Sequence, residues 1–204
     1  MRALLTAVLL FGGCGHLNPE YTVEGLNLHV WNNGTSVGHN EVYVHTLTIL
    51  SAFKVILGVD HQEALDALRS ADLRVEFFDH RIACPDGRDG ECVGAYYPSG
   101  HRIRVHIFEE GCFAVNAYAH EMAHVMLDYL FEDPDAEHTR DEVWHGTTGV
   151  IPMSRWGYCK IMCGDLCFDP DRSYEEKEEF MTCLEPLVAE DWSILDGSQV
   201  EVDH

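Results

Sequence analysis

The chain has 204 residues, 46% hydrophobic and 24% charged, a composition that suits one globular domain and is too apolar for a disordered chain. Asp and Glu total 35 against 13 Lys and Arg, a formal net charge of −22. Such a field repels phosphate backbones and anionic headgroups, so charge-driven binding to nucleic acid or to a lipid surface is excluded, and the 13 His and 8 Cys point instead to metal, disulfide or redox chemistry.

Residues 1–15, MRALLTAVLLFGGCG, read as a targeting segment: one Arg, an apolar run too short to span a bilayer, then small residues before Cys14. Gly12, Gly13 and Cys14 resemble the end of a bacterial lipoprotein leader, with Phe11 departing from the usual aliphatic residue. That resemblance implies a signal peptide over 1–13, a lipidated Cys14, and a chain anchored in the bacterial cell envelope; without lipidation the protein is secreted. Residues 14–22 read as a tether, 23–192 as a single domain and 193–204 as an acidic tail. Either location is oxidising, so the Cys are expected in disulfides. Cys84 and Cys92 flank a Pro-Asp-Gly-Arg-Asp-Gly loop and suit a local bridge, while Cys159, Cys163 and Cys167 are expected to pair with Cys112 and Cys183 in an undetermined order.

Residues 40–58 form a long apolar stretch read as a helix despite its β-branched residues, and 61–71 is a second, amphipathic helix with Leu65 and Leu68 on one face. Residues 73–79 alternate as a strand. Gly94–Tyr97 and 101–108 read as two strands joined by a Pro98-Ser99-Gly100 turn, the second with Ile103, Val105 and Ile107 opposite Arg102, Arg104 and His106.

Residues 113–131 are apolar almost all round, which marks a buried helix, yet Asn116, His120, His124 and Asp128 recur every four residues as a polar stripe with Glu121 beside it. Unpaired polar groups in such a place cost roughly 1–3 kcal/mol each, so the stripe needs a purpose. His120-Glu121-Met122-Ala123-His124 supplies one: two imidazoles at i and i+4 can grip one Zn²⁺, with the adjacent Glu121 as general base for a water. Two core histidines bonded to backbone would be the ordinary alternative, but they would leave Glu121 buried without a partner. A catalytic zinc takes a third protein ligand. Downstream of the Asp133-Pro134-Asp135 turn, His138, Glu142 and His145 follow at i, i+4 and i+7, which fits one face of a short helix. Imidazole is the commoner ligand, so His138 comes first, with Glu142 and His145 as alternatives; Asp133, Asp135 and Asp141 read as a solvated acidic loop.

This pattern resembles the zincin metallopeptidases, and within them the minimal SprT-like arrangement of HExxH, a short loop, a third His and an aromatic residue, here Trp144. The match covers residues 101–145; no Gly directly follows His138, and none lies between His124 and His138 as the metzincin motif requires. The resemblance implies a zincin-like α+β fold, a small antiparallel or mixed sheet packed on a buried active-site helix with a Cys-rich helical part after it. It implies one Zn²⁺ on His120, His124 and His138, catalysis by Glu121, and a protein or peptide substrate. It also places the 101–108 strand at the sheet edge, with Arg102 and Arg104 facing substrate or holding a protein acid, and leaves His145, Tyr158 and Arg155 as candidate oxyanion donors. SprT-like proteins typically act inside cells near DNA, which the charge and the leader argue against for this chain. The alternative function is a non-catalytic metal-binding lipoprotein, or a disulfide-stapled interaction domain. Residues 149–168 and a helix over 173–192 carry no evident chemistry.

Overall fold

The computed structural model describes residues 18–85, 90–108, 113, 116–145 and 148–163. The leader, Cys14, Cys112, Cys167, Cys183, the 173–192 helix and the acidic tail lie outside them. The described elements run β1 (Tyr21–Val23), β2 (Leu28–Asn33), α1 (His39–Leu57), α2 (His61–Ala71), β3 (Leu73–Phe78), β4 (Ile82–Ala83), β5 (Glu91–Cys92), β6 (Gly94–Tyr97), β7 (Arg102–His106), α3 (Tyr118–Phe131), α4 (Asp141–Trp144) and α5 (Val150–Met162). The fold is α+β, built on a five-stranded mixed sheet of order β1-β2-β3-β7-β6. β2, β3 and β7 are parallel, and β1 and β6 flank them antiparallel. β1 begins at Tyr21, inside the segment expected as tether, so that segment's end belongs to the sheet.

Local chemistry explains the helix limits. The Asp60 carboxylate accepts the Gln62 and Glu63 N–H groups and starts α2. The Glu41 carboxylate accepts the Gly38 N–H at 2.7 Å and starts α1, which Gly58 ends at φ +69°. Burial of residues 42–53 along α1 outweighs the weak helix propensity of its β-branched residues. Leu28, Val30, Leu73, Val75, Phe77, Ile103 and Val105 point to one face of the sheet and join α1, α2, α3 and α5 in the main core. The opposite face carries guanidinium–aromatic stacks: Arg74 on Trp31, Arg102 on Tyr97 and Arg104 on Phe78, with Arg104 also paired at 3.0 Å to the buried Glu76. Arg102 and Arg104 therefore hold protein groups.

β7 is not the edge strand. Its two sides are taken by β3 and β6, because the Pro98–Gly100 turn folds the chain so that β6 lies outside. The Cys84–Cys92 disulfide is present and closes the β4–β5 ribbon, which packs on β6 through Phe78, Ile82 and Ala95; Cys159 and Cys163 are disulfide-bonded as well. Among the described residues no helix is long and apolar enough to cross a membrane.

Candidate metal centre

α3 begins at Tyr118, five residues later than the apolar run suggests. Asn116 stands before it: its side chain accepts the Phe108 N–H at 2.9 Å and donates to the Phe113 carbonyl at 3.1 Å, pinning the approach from β7. From Tyr118 the i, i+4 spacing puts His120 and His124 on one side of the helix, where His138 meets them from the loop beyond. His138 Nε2 lies 3.1 Å from His120 Nε2 and 3.2 Å from His124 Nε2, and among the described residues these three form the one group of His, Cys or acids close enough to share an ion. Glu142 and His145 are exposed and stay outside it. The expected shared helical face does not form: α4 starts only at Asp141, while His138 sits before it at φ +54°.

The donor chemistry fits a divalent cation. His124 donates its Nδ1–H to the Pro134 carbonyl at 2.6 Å, which leaves Nε2 as a lone pair aimed at the other two rings. Nitrogens at such separations gain little from each other and much from a shared cation. Burial lowers the pKa of His120 to about 3, helped by His124, His138 and Arg155, and burial likewise lowers that of His124, so both rings are neutral ligands at neutral pH. The Trp144 indole covers the cluster, with ring centroids 4.9, 4.4 and 4.5 Å from His120, His124 and His138.

Glu121 is 4% exposed, and burial pushes its pKa up to about 8 against a hydrogen bond from the Tyr96 N–H. Its carboxylate lies against the edge strand: a Cβ on Gly94 would stand 2.4 Å from Glu121 Oε1. Tyr96 also donates its hydroxyl to Asp128 Oδ2 at 2.6 Å, tying β6 to α3 one turn beyond His124. A cleft of about 500 Å³ runs between β6 and the loop after α3, lined by His120, Glu121, His124 and His138 and by the Cys84–Cys92 disulfide. Tyr97 and Pro98 form one wall and Pro134 and Ala136 the other.

The candidate oxyanion donors do not line this cleft, although the Arg155 charge is felt at His120. Tyr158 is buried in the core, its ring 4.6 Å from that of His45. Arg155 donates to the Asn116 carbonyl at 3.3 Å, and His145 is exposed after α4. Gly94, Tyr96 and Asp135 belong to the site and are not evident from the sequence. Gly94 opens a strand directly after a Cys loop, which is the only hint of a close approach. Asp135 is 3% exposed, not solvated. Comparison with protein-family models, with curated proteins and with solved structures finds no match to this chain.

Proposed function

We propose that this chain is an extracytoplasmic zinc metallopeptidase that cleaves peptide bonds in extended segments of protein. The observation that carries the reading is the convergence of three imidazole nitrogens beside a buried glutamate, in a cleft bordered by the edge strand of the sheet. In the zincins, which the sequence resembles, an edge strand takes the substrate backbone. β6 holds that place here, and its backbone suits β-addition by an extended peptide.

Zn²⁺ held by His120, His124 and His138 would supply Lewis acidity to a scissile carbonyl and acidity to an attacking water. Glu121 would then accept the proton of that water and return it to the leaving nitrogen, the charge of the neighbouring cation favouring the ionised carboxylate that burial alone disfavours. The Tyr96 N–H holds the carboxylate in place meanwhile. The lipid anchor at Cys14, the envelope location and the zincin-like relationship are parts of the same proposal.

The test is zinc content and hydrolysis measured together. Protein purified without added metal should carry one zinc per chain. Glu121→Gln should keep that zinc and lose about 10²–10⁴-fold in peptide cleavage, the usual contribution of a general base. Wild type and variant equally inert across a broad peptide library would remove the enzyme reading and leave a metal-binding protein.

A further inference from the structure

We propose that Asp135 is the positioning residue of the three-histidine centre, its carboxylate shaping the loop that brings His138 to the helical pair. The inference rests on the metal-binding part of the proposed function and is independent of peptide hydrolysis.

The loop from α3 to α4 leaves the right-handed backbone three times. Glu132, Asp135 and His138 sit at φ +56°, +49° and +54°, in the left-handed region that most residues bearing a Cβ enter less readily than glycine. Glu132 is there as the C-cap of α3, and the turn that follows around His138 is held by Asp135. Its Oδ1 accepts the Thr139 N–H at 2.8 Å and the Thr139 hydroxyl at 2.7 Å, and its Oδ2 accepts the Arg140 N–H at 3.0 Å and the Trp144 Nε1–H at 2.5 Å. Its carbonyl accepts the His138 N–H at 2.9 Å. The residue before it, Pro134, receives the Nδ1–H of His124.

One buried side chain thus reaches both parts of the centre. Through the Thr139 and Arg140 amides it closes the turn that presents the His138 ring. Through the indole N–H it fixes Trp144, whose ring packs on all three imidazoles. Four donors converge on two oxygens, and only a carboxylate accepts at both. An asparagine would set its own NH₂ against two of those donors, so a neutral isostere cannot reproduce the arrangement. Burial acts to raise the Asp135 pKa, but the bonds from Thr139, Trp144 and Arg140 outweigh it and hold the group ionised, well below the usual carboxylate range.

The experiment uses the full chain and compares wild type with Asp135→Asn, Thr139→Val, Thr139→Ser and Trp144→Phe. Zinc affinity is measured by competition with a chromophoric chelator, ligand geometry by the visible spectrum of the Co²⁺-loaded protein, and fold by the melting temperature of the metal-free protein. Asp135→Asn should bind zinc about 10–100-fold more weakly, the range found when groups behind metal ligands are removed, and should shift the Co²⁺ bands. Thr139→Val should fall between it and wild type, and Thr139→Ser, which keeps the hydroxyl donor, should restore the affinity. If Asp135→Asn loses thermal stability but keeps wild-type zinc affinity and Co²⁺ spectrum, the carboxylate serves the fold alone and the inference is wrong. If Asp135→Asn does not fold, unchanged affinity and spectrum in both Thr139→Val and Trp144→Phe overturn it equally. A wild-type chain that takes up no zinc removes the metal centre itself, whatever the variants do.

Discussion

The strictest test of the site's geometry is Gly94→Ala, a change that adds one methyl group and no polar atom. The new Cβ would lie 2.4 Å from Glu121 Oε1, 2.9 Å from Glu121 Cδ and 2.8 Å from the Ala117 Cβ. Ordinary contact begins at 3.4 Å, so the carboxylate must retreat by about 1 Å or the β6 backbone must lift away from α3. Either movement breaks the registry between Glu121 and the Tyr96 N–H. A misplacement of about 1 Å in a catalytic group costs on the order of 10²-fold in rate. Overpacking at such a junction costs about 1–3 kcal/mol of stability. The expected outcome is kcat/KM for a peptide substrate lower by about 100-fold at unchanged zinc content, because the three atoms nearest the new methyl group belong to Glu121 and Ala117 and none to an imidazole. The assay is steady-state cleavage of a quenched fluorescent peptide alongside metal analysis. A Gly94→Ala protein within twofold of wild type in kcat/KM would show that Glu121 does not need its place against β6, and the general-base reasoning would fail.

Two further outcomes are expected. His45 is wholly buried with no hydrogen-bond partner for either ring nitrogen among the described residues, and burial, with a smaller contribution from Arg155, lowers its pKa to about 3. Below pH 6.5 the unfolded chain binds a proton there that the folded chain refuses, so this contribution to stability is present above 6.5 and is lost as pH falls toward 3, at about 1.4 kcal/mol per unit. Urea unfolding at pH 7 and pH 5 should show wild type losing about 2 kcal/mol more than His45→Leu over that interval; parallel losses would contradict the assignment. Replacing both Cys84 and Cys92 by Ser should cost about 2–4 kcal/mol or somewhat less, since the closed loop is short, and should raise KM for peptides because the disulfide lines the cleft. Unchanged KM would separate the β4–β5 ribbon from substrate binding.

How much of this the sequence reveals depends on the element. α2 is legible to within a residue and the β6–β7 hairpin to within two, because an Asp cap, a Pro-Ser-Gly turn and clean alternation are local signals. β1 and β2 are not legible: Leu28 and Val30 alternate, but the His29, Trp31, Asn32 and Asn33 between and beyond them resemble a loop, and only pairing with β3 makes them a strand. The order of the sheet is a nonlocal fact. The alternation in Arg102–His106 says that one face is buried and nothing about which neighbours flank it, so β7 reads as an edge although it lies inside.

The site divides along the same line. His120, Glu121 and His124 are spaced by the helix itself, and any chain that makes this helix brings the two imidazoles to one side. His138 is legible as a residue type but not as a geometry. The reading that placed it on a helix with Glu142 and His145 assumes right-handed backbone, whereas the chain passes through three left-handed residues on the way. What holds the turn around His138 is the Asp135 carboxylate, which in the sequence resembles part of a solvated acidic loop. Of the exposed-looking acids in EDPDAEH, Asp135 alone is buried, and it is distinguished by four donors that arrive from residues 139, 140 and 144. Each donor is within nine residues in sequence, yet none forms a motif, because the contacts follow from the turn and the turn follows from the contacts. A sequence reading recognises ligands by type and spacing. It does not see the group that sets the spacing when that group is an acid among acids, and in a chain of net charge −22 acids are the poorest background against which to find one.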